Sequence, residues 1–217
     1  MSTQPEADSN ITLGEFVNSG LYGAVWKAEQ KNPPRMVAVK IVNRENGMTF
    51  NAKEHAKGLV KAGPHPNIVA VYQVTRVVHP EDNEIVDAVV MELLDGPSLG
   101  QRLAESLLPP GLARAICDGV LNGIEHLHSK DVTHSDLHPG NVIITPQGPR
   151  IIDIDYSSAK SLALLTSLDR HFRIQADVDQ TAYIVGRVIS KTAFNQGYYD
   201  ENQATLRGAK TLGLIEK

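Results

Sequence analysis

The stretch His134-Ser135-Asp136-Leu137-His138-Pro139-Gly140-Asn141 carries the densest chemistry in the chain. An aspartate and an asparagine stand five residues apart in it, and Pro139-Gly140 punctuates the segment, so it reads as a loop. Asp136 can accept a proton from a hydroxyl, and the amide oxygen of Asn141 can ligate Mg2+. A rival reading takes His134, Asp136 and His138 as a transition-metal set. Their alternate spacing suits a strand, whereas the proline, the glycine and the preceding helical run favour the loop.

Upstream of the loop, apolar residues recur at Ile116, Val120, Ile124 and Leu127, which is one face of a helix over 112–129. Downstream, VIIT and RIIDI are separated by PQG, which is hairpin spacing. The second run ends in Ile152-Asp153-Ile154-Asp155. An aspartate at the end of an apolar strand is well placed to grip Mg2+. Asp153 and Asp155 also have the spacing of the paired aspartates of haloacid-dehalogenase-type phosphatases, but those sit on a first strand near the N-terminus. A turn or capping role is the plain alternative for Asp155. Residues 156–176 show no period, 180–192 read as a buried helix, and the last 25 residues are polar and weakly helical.

The first half differs. Residues 1–10 are polar and aperiodic and read as a flexible N-terminus. Residues 11–45 are rich in β-branched side chains and turn signals, and 68–78 and 84–94 read as two more strands. A short helix is expected over 51–63, ended by Gly63-Pro64. Between the first two strands, Asn18-Ser19-Gly20-Leu21-Tyr22-Gly23-Ala24-Val25 places two glycines where backbone amides could approach a phosphate chain. A tight hairpin explains the same glycines. On the third strand Lys40 stands among valines, either at an edge facing water or as an ammonium held against phosphate and paired to a carboxylate. Glu54 could be that carboxylate.

Composition narrows the classes. A chain of 217 residues is one domain, or two small lobes sharing a cleft. No apolar run approaches a membrane span, and no secretory signal opens the chain. The net charge of −4 and the absence of a basic run argue against nucleic acid as the main partner. A single cysteine, Cys117, leaves no internal disulfide and suits a reducing compartment.

In order, a glycine loop, a strand lysine, a helix glutamate, HxDxxxxN and an aspartate after a hairpin resemble the signature of eukaryotic-like protein kinases. The resemblance runs from about Ile11 to Gly186, and lesser stretches agree, among them His65-Pro66-Asn67-Ile68-Val69 and Met91-Glu92-Leu93-Leu94. It implies an α+β, two-lobed fold. Residues 11–94 would form a lobe of five antiparallel strands and one helix, and 95–217 an abbreviated, mainly helical lobe. It also implies ATP and Mg2+. Asn18, Gly20 and Gly23 would lie over the phosphates, and Val25, Ala38, Ile143 and Ile152 would line the nucleotide site. Met91 would be the gatekeeper, and the backbone of Glu92 and Leu94 would meet the adenine edge. Lys40, oriented by Glu54, would hold phosphates, Asn141 and Asp153 would hold Mg2+, and Asp136 would deprotonate the acceptor.

Several positions depart from the family pattern. Asn18 stands for the first loop glycine, Ser135 for the arginine that reads a loop phosphate, and His138 for a lysine. No Ala-Pro-Glu segment follows Asp153, though Asp177 or Asp179 could open a later helix. The departures leave three expectations. One is a minimal serine/threonine kinase similar to small bacterial effector kinases that phosphorylate a host heat-shock chaperone. It would be monomeric and delivered by a non-classical route into host cytoplasm, with 156–176 as the stretch for partner recognition. The others are a small-molecule phosphotransferase of the aminoglycoside or choline type, and a nucleotide-binding pseudokinase.

Overall fold

A computed structural model describes residues 6–20, 23–42, 52–154 and 167–192, without the side chains of 54, 55, 167 and 168. The chain divides into two compact units, one within 1–60 and 70–94, the other within 61–69 and 95–217. Residues 61–69 thus fold with the second unit.

The first unit is a five-stranded antiparallel sheet: β1 (Ile11–Gly20), β2 (Gly23–Lys31), β3 (Pro34–Val42), β4 (Val71–Val78) and β5 (Ile85–Glu92). Its order is β1-β2-β3-β5-β4, so β3 is central. Strand periodicity splits the side chains between two faces. Val37, Val39 and Ile41 pack with Ala28, Val77, Val86, Ala88 and Val90 in one core, which Leu13 and Trp26 border. The alternate residues, Val25, Ala38, Lys40, Val89 and Met91, share the other face. Cross-strand register aligns Val25 with Lys40 and Lys40 with Val89, and Ala38 with Met91. Helix α1 (Ala52–Ala62) follows β3 and runs into the second unit.

The expected loose N-terminus is corrected at Asp8. Its backbone N–H donates to the Arg76 carbonyl at 2.8 Å. Its carboxylate accepts from Gln73 and Thr75, also on β4. An acidic side chain that meets two strand donors is fixed despite its polar surroundings. Residues 1–5 lie outside the described residues.

The second unit contains α2 (Leu99–Glu105), α3 (Pro110–Ser129), the hairpin β6 (Val142–Thr145) and β7 (Gly148–Ile151), and α4 (Ser167–Ser190). Ser98 caps α2 with a capping box. The buried stripe of α3 includes the expected Ile116, Val120, Ile124 and Leu127, together with Gly119 and Gly123. Those glycines form a notch for β7. A Cβ on Gly119 would lie 2.3 Å from Pro149, and one on Gly123 2.6 Å from Ile151. The hairpin turn is shorter than PQG: Gly148, at φ 119°, already pairs with Thr145.

The largest correction concerns α4. The helix starts at Ser167, 13 residues before the expected Gln180. Its first turns are largely exposed, so they carry no apolar stripe to read. Asp177 lies inside this helix, not at its start. Residues 155–166 and 193–217, with Asp155 and the polar C-terminal stretch, lie outside the described residues.

Candidate active site

In the second unit the loop at 134–141 is fixed main-chain group by main-chain group. Asp177 is fully buried, and its carboxylate accepts from the N–H of His134 and of Ser135, each at 2.8 Å. The same carboxylate meets Nε2 of His128, on α3, at 2.9 Å. Gln180, one turn further along α4, accepts from the N–H of Leu137 at 2.8 Å. The N–H of Asp136 itself donates to Nδ1 of His134 at 3.3 Å. Four consecutive loop amides are therefore held, three of them by α4. The Asp136 carboxylate is left half-exposed at the centre.

His134 is buried, and burial pushes its pKa below the ordinary value against the pull of Asp177 and the Ile152 carbonyl. With Nδ1 accepting, the ring proton lies on Nε2, which donates to the Ile152 carbonyl at 3.0 Å. Both ring nitrogens are used, so His134 cannot ligate a transition metal. Among the described residues no three His, Cys, Asp or Glu are grouped to hold one. The three-residue metal reading is thereby corrected.

Asn141 joins the loop to the aspartate after the hairpin. Its Nδ2 donates to the Asp136 carbonyl at 2.9 Å. Its own carbonyl accepts from the N–H of Ile152 at 3.0 Å, one residue before Asp153. The amide nitrogen is thus engaged, so Oδ1 is the side-chain atom that could act as an oxygen ligand. Asp153 sits at φ 55° and Ser135 at φ 68°, a left-handed backbone that costs about 1–3 kcal/mol per residue and clusters at functional sites. Ile143, on β6, is half-buried and pairs with Arg150. Asp136, Asn141, Ile152 and Asp153 are brought together.

In the first unit Lys40 is 3% exposed on the central strand. The edge-strand reading is corrected: this ammonium is buried, where an isolated charge is costly. Val25, Ala38 and Met91 share its face. Glu54 lies in α1, but its side chain is outside the described residues, as are Leu21 and Tyr22 of the glycine loop. Gly23 has a packing reason of its own. At φ 150° its Cβ would lie 2.1 Å from the Ile41 carbonyl oxygen. A Cβ on Gly20 would meet nothing within 4 Å, and Asn18 turns its side chain onto the N–H of Ser19. The N–H of Glu92 is bonded to the Ala70 carbonyl at 2.8 Å, so that N–H is engaged within the fold and is not offered to an adenine edge. Leu94 is half-buried beyond β5. Burial, and then Asp118, push the Cys117 thiol up to about 11, so it stays protonated and unreactive.

The protein kinase domain family matches residues 11–194, from β1 through α4. The chain belongs to the protein kinase family. This kinase domain is 31% identical over 147 residues to serine/threonine-protein kinase pkn2 of Myxococcus xanthus, which is 64% of this chain and 17% of that protein. It is 33% identical over 143 residues to a serine/threonine protein kinase of Oryza sativa, covering 64% of this chain and 27% of that one. A probable casein kinase I homolog of Encephalitozoon cuniculi is 27% identical over 176 residues, 80% of this chain and 56% of that protein. The matched segment thus spans little more than half of these relatives at most. Among solved structures, Rad53 in complex with AMP-PNP superposes with TM-score 0.62 at 19% identity, over 95% of this chain and 57% of that one. The kinase domain of Mycobacterium tuberculosis PknI superposes with TM-score 0.63 at 18% identity, over 88% of this chain and 78% of that one. The fold is the kinase-like α+β fold with a five-stranded antiparallel sheet.

Sequence reasoning missed His128 and Gln180 as supports of the loop, and left Asp177 and Asp179 undivided. The structure separates these two: Asp179 is exposed and, among the described residues, accepts from Gln175, whereas Asp177 holds the loop.

Proposed function

We propose that the chain transfers the γ-phosphoryl group of ATP to a serine or threonine hydroxyl of a protein substrate. The observation that carries this reading is the loop itself. It presents a half-exposed Asp136 carboxylate on a rigid main chain, stitched through Asn141 to the segment bearing Asp153.

The residues fit Mg2+. Asn141 Oδ1 and the Asp153 carboxylate are hard oxygen donors, and Mg2+ keeps several waters and needs only one or two carboxylate or amide ligands from protein. Mg2+, when bound, supplies charge neutralisation on the phosphates. The family resemblance would assign Lys40, buried in the first unit, to the phosphates as a cation. Asp136 orients the acceptor hydroxyl and takes its proton as the acceptor oxygen bonds to the γ-phosphorus. The bond from that phosphorus to the bridging oxygen then breaks toward ADP. Little covalent chemistry is asked of the protein, so positioning dominates, and loop rigidity is what the reaction needs.

The partner proposed is a host protein, with a heat-shock chaperone as the first candidate and host cytoplasm as the compartment. A general likeness in size and motif variants to small bacterial effector kinases supports it, whereas the HSDLHPGN loop favours the small-molecule alternative.

The test is to incubate the protein and its Asp153→Ala variant with γ-labelled ATP, Mg2+ and a eukaryotic lysate. The expected result is labelled phosphoserine or phosphothreonine in protein, absent with the variant, and a labelled band at the chaperone. Label confined to small molecules would replace this reading with a small-molecule phosphotransferase. Nucleotide binding without any transfer would replace it with a pseudokinase.

A further inference from the structure

We infer that Gln180 is a positioning residue, which orients the Asn141 side chain through the peptide between Asp136 and Leu137. The inference rests on the reading of Asn141 as a ligand for Mg2+.

The loop is gripped on both sides of Asp136 by one face of α4. Upstream, the Asp177 carboxylate accepts from the N–H of His134 and of Ser135. Downstream, Gln180 Oε1 accepts from the N–H of Leu137 at 2.8 Å. Residues three apart in a helix project from the same face, so both grips belong to one rigid support. Only the oxygen of a glutamine amide can meet an N–H, which fixes how the Gln180 side chain is turned. Leu137 is 2% exposed and Gln180 is half-buried, so water competes little for this bond.

A peptide unit is a rigid plane with its C=O and N–H on opposite edges. In the unit joining Asp136 and Leu137 both edges are taken. The N–H edge is held by Gln180, and the Asp136 carbonyl accepts from Asn141 Nδ2 at 2.9 Å. Turning this plane about its two Cα atoms hardly moves the Asp136 Cβ, but it swings the carbonyl away from Asn141. The main chain of Asn141 is fixed independently. Its N–H donates to the His138 carbonyl at 2.9 Å, and its carbonyl accepts from Ile152 at 3.0 Å. What remains to be set is the Asn141 side-chain torsions, and the bond to the Asp136 carbonyl sets them. Gln180 thus acts on Oδ1 of Asn141 at two removes. Mg2+ demands near-ideal octahedral geometry at short distances, so a displaced oxygen ligand is penalised.

The experiment reads Mg2+ directly. Gln180→Leu and Gln180→Ala remove the acceptor, and Gln180→Glu keeps an oxygen of the same reach. ATP binding is measured by calorimetry across a Mg2+ series without acceptor, and turnover on a protein substrate at limiting and saturating Mg2+. Thermal unfolding shows which variants are folded. The expected result is that loss of the acceptor raises the Mg2+ concentration for half-maximal ATP binding about tenfold, as for other groups that orient a metal ligand. Turnover falls at limiting Mg2+ and recovers most of its wild-type value at saturating Mg2+. Gln180→Glu stays close to wild type in both. In an Asn141→Ala background, Gln180→Leu adds no further change to the Mg2+ dependence, because the two act as one unit.

A wild-type Mg2+ dependence in the folded acceptor-free variants would overturn the proposal, even if their turnover were low, since a merely loosened loop does that. An equal loss in Gln180→Glu would assign the effect to packing and overturn it as well. A wild type that transfers nothing to protein, yet binds ATP more tightly with Mg2+, would remove the acceptor reading alone, and the binding series would still decide Gln180. A wild type whose ATP binding ignores Mg2+ would overturn both.

Discussion

The carboxylate of Asp177 holds the main-chain N–H of His134 at 2.8 Å, across 43 residues of sequence. It is fully buried and also takes the N–H of Ser135 and Nε2 of His128. One helix side chain therefore ties α3, α4 and the loop that presents Asp136. Asp177→Ala leaves buried donors without acceptors and is expected to cost about 3 kcal/mol or more in urea unfolding. Asp177→Asn keeps one oxygen and should cost less. Equal stability of Ala variant and wild type would show that the loop does not depend on this carboxylate.

Asp136 is at the opposite extreme: its carboxylate is half-exposed, while its backbone N–H and carbonyl are hydrogen-bonded to His134 and Asn141. Asp136→Asn should leave the unfolding midpoint unchanged. It should lower phosphoryl transfer by about a hundredfold or more, the scale of a lost general base, with nucleotide affinity within about twofold of wild type. Comparable turnover in the two proteins would remove Asp136 from the chemistry.

Acid should weaken the second unit in a definite window. Burial lowers the pKa of His134, with Asp177 opposing. Burial also lowers that of His65, helped by His126, whose ring stacks on it at 4.5 Å, and by Arg150. Both folded values lie below the unfolded value near 6.5, so the unfolded chain binds more protons there. Their contribution is complete above that value and declines as pH falls through and below it. Thermal midpoints between about pH 8 and about pH 5 should fall accordingly. His65→Gln keeps an acceptor for the Asn67 N–H, now 3.2 Å from His65 Nδ1, and should flatten part of the decline. An unaltered pH dependence in that variant would exclude His65 as a contributor.

These dependences show what was legible in the residues. The strands announced themselves through β-branched runs and turn punctuation, and α3 through its apolar stripe, because both are half-buried elements with a period to read. Asp136, Asn141 and Asp153 were legible because their spacing is chemical, not structural. The first turns of α4 were not, since they lie in solvent and need no stripe. Asp177 did leave a trace, which spacing alone could have found: with Thr181, Ile184 and Val188 it falls on the buried face of α4. An aspartate on such a face implies a donor to meet it, but the donors are backbone groups of a distant loop, and no side-chain pattern marks those. Asp8 was missed for the same reason, a partner in β4 that carries no signature.

Two glycines separate packing from phosphate binding. Gly23→Ala would drive a Cβ to 2.1 Å from the Ile41 carbonyl, and Gly96→Ala to 2.0 Å from that of Ile144, both at positive φ. Each should cost about 2 kcal/mol or more. A Cβ on Gly20 would meet nothing within 4 Å, so Gly20→Ala should change stability by no more than about 0.5 kcal/mol. If Gly20 serves the phosphates, the same variant weakens ATP binding while remaining stable. Unchanged ATP affinity would leave the segment as a plain hairpin.

Ser135 decides how such a kinase is switched. Its N–H is bound to Asp177 at 2.8 Å and its hydroxyl lies 3.1 Å from that of Thr133, so the position is committed to holding the loop. A phosphate on a nearby segment is normally read there by a guanidinium, through short charge-assisted hydrogen bonds. A serine offers no cation, and the loop amides are already fixed by α4 without one. Activity is therefore expected to be constitutive. Protein treated with a phosphatase should retain full turnover, and Ser135→Arg should introduce a response to phosphorylation that the wild type lacks. A purified wild type that gains activity only after phosphorylation of residues 155–166 would refute this, and would require a different cation to receive the phosphate.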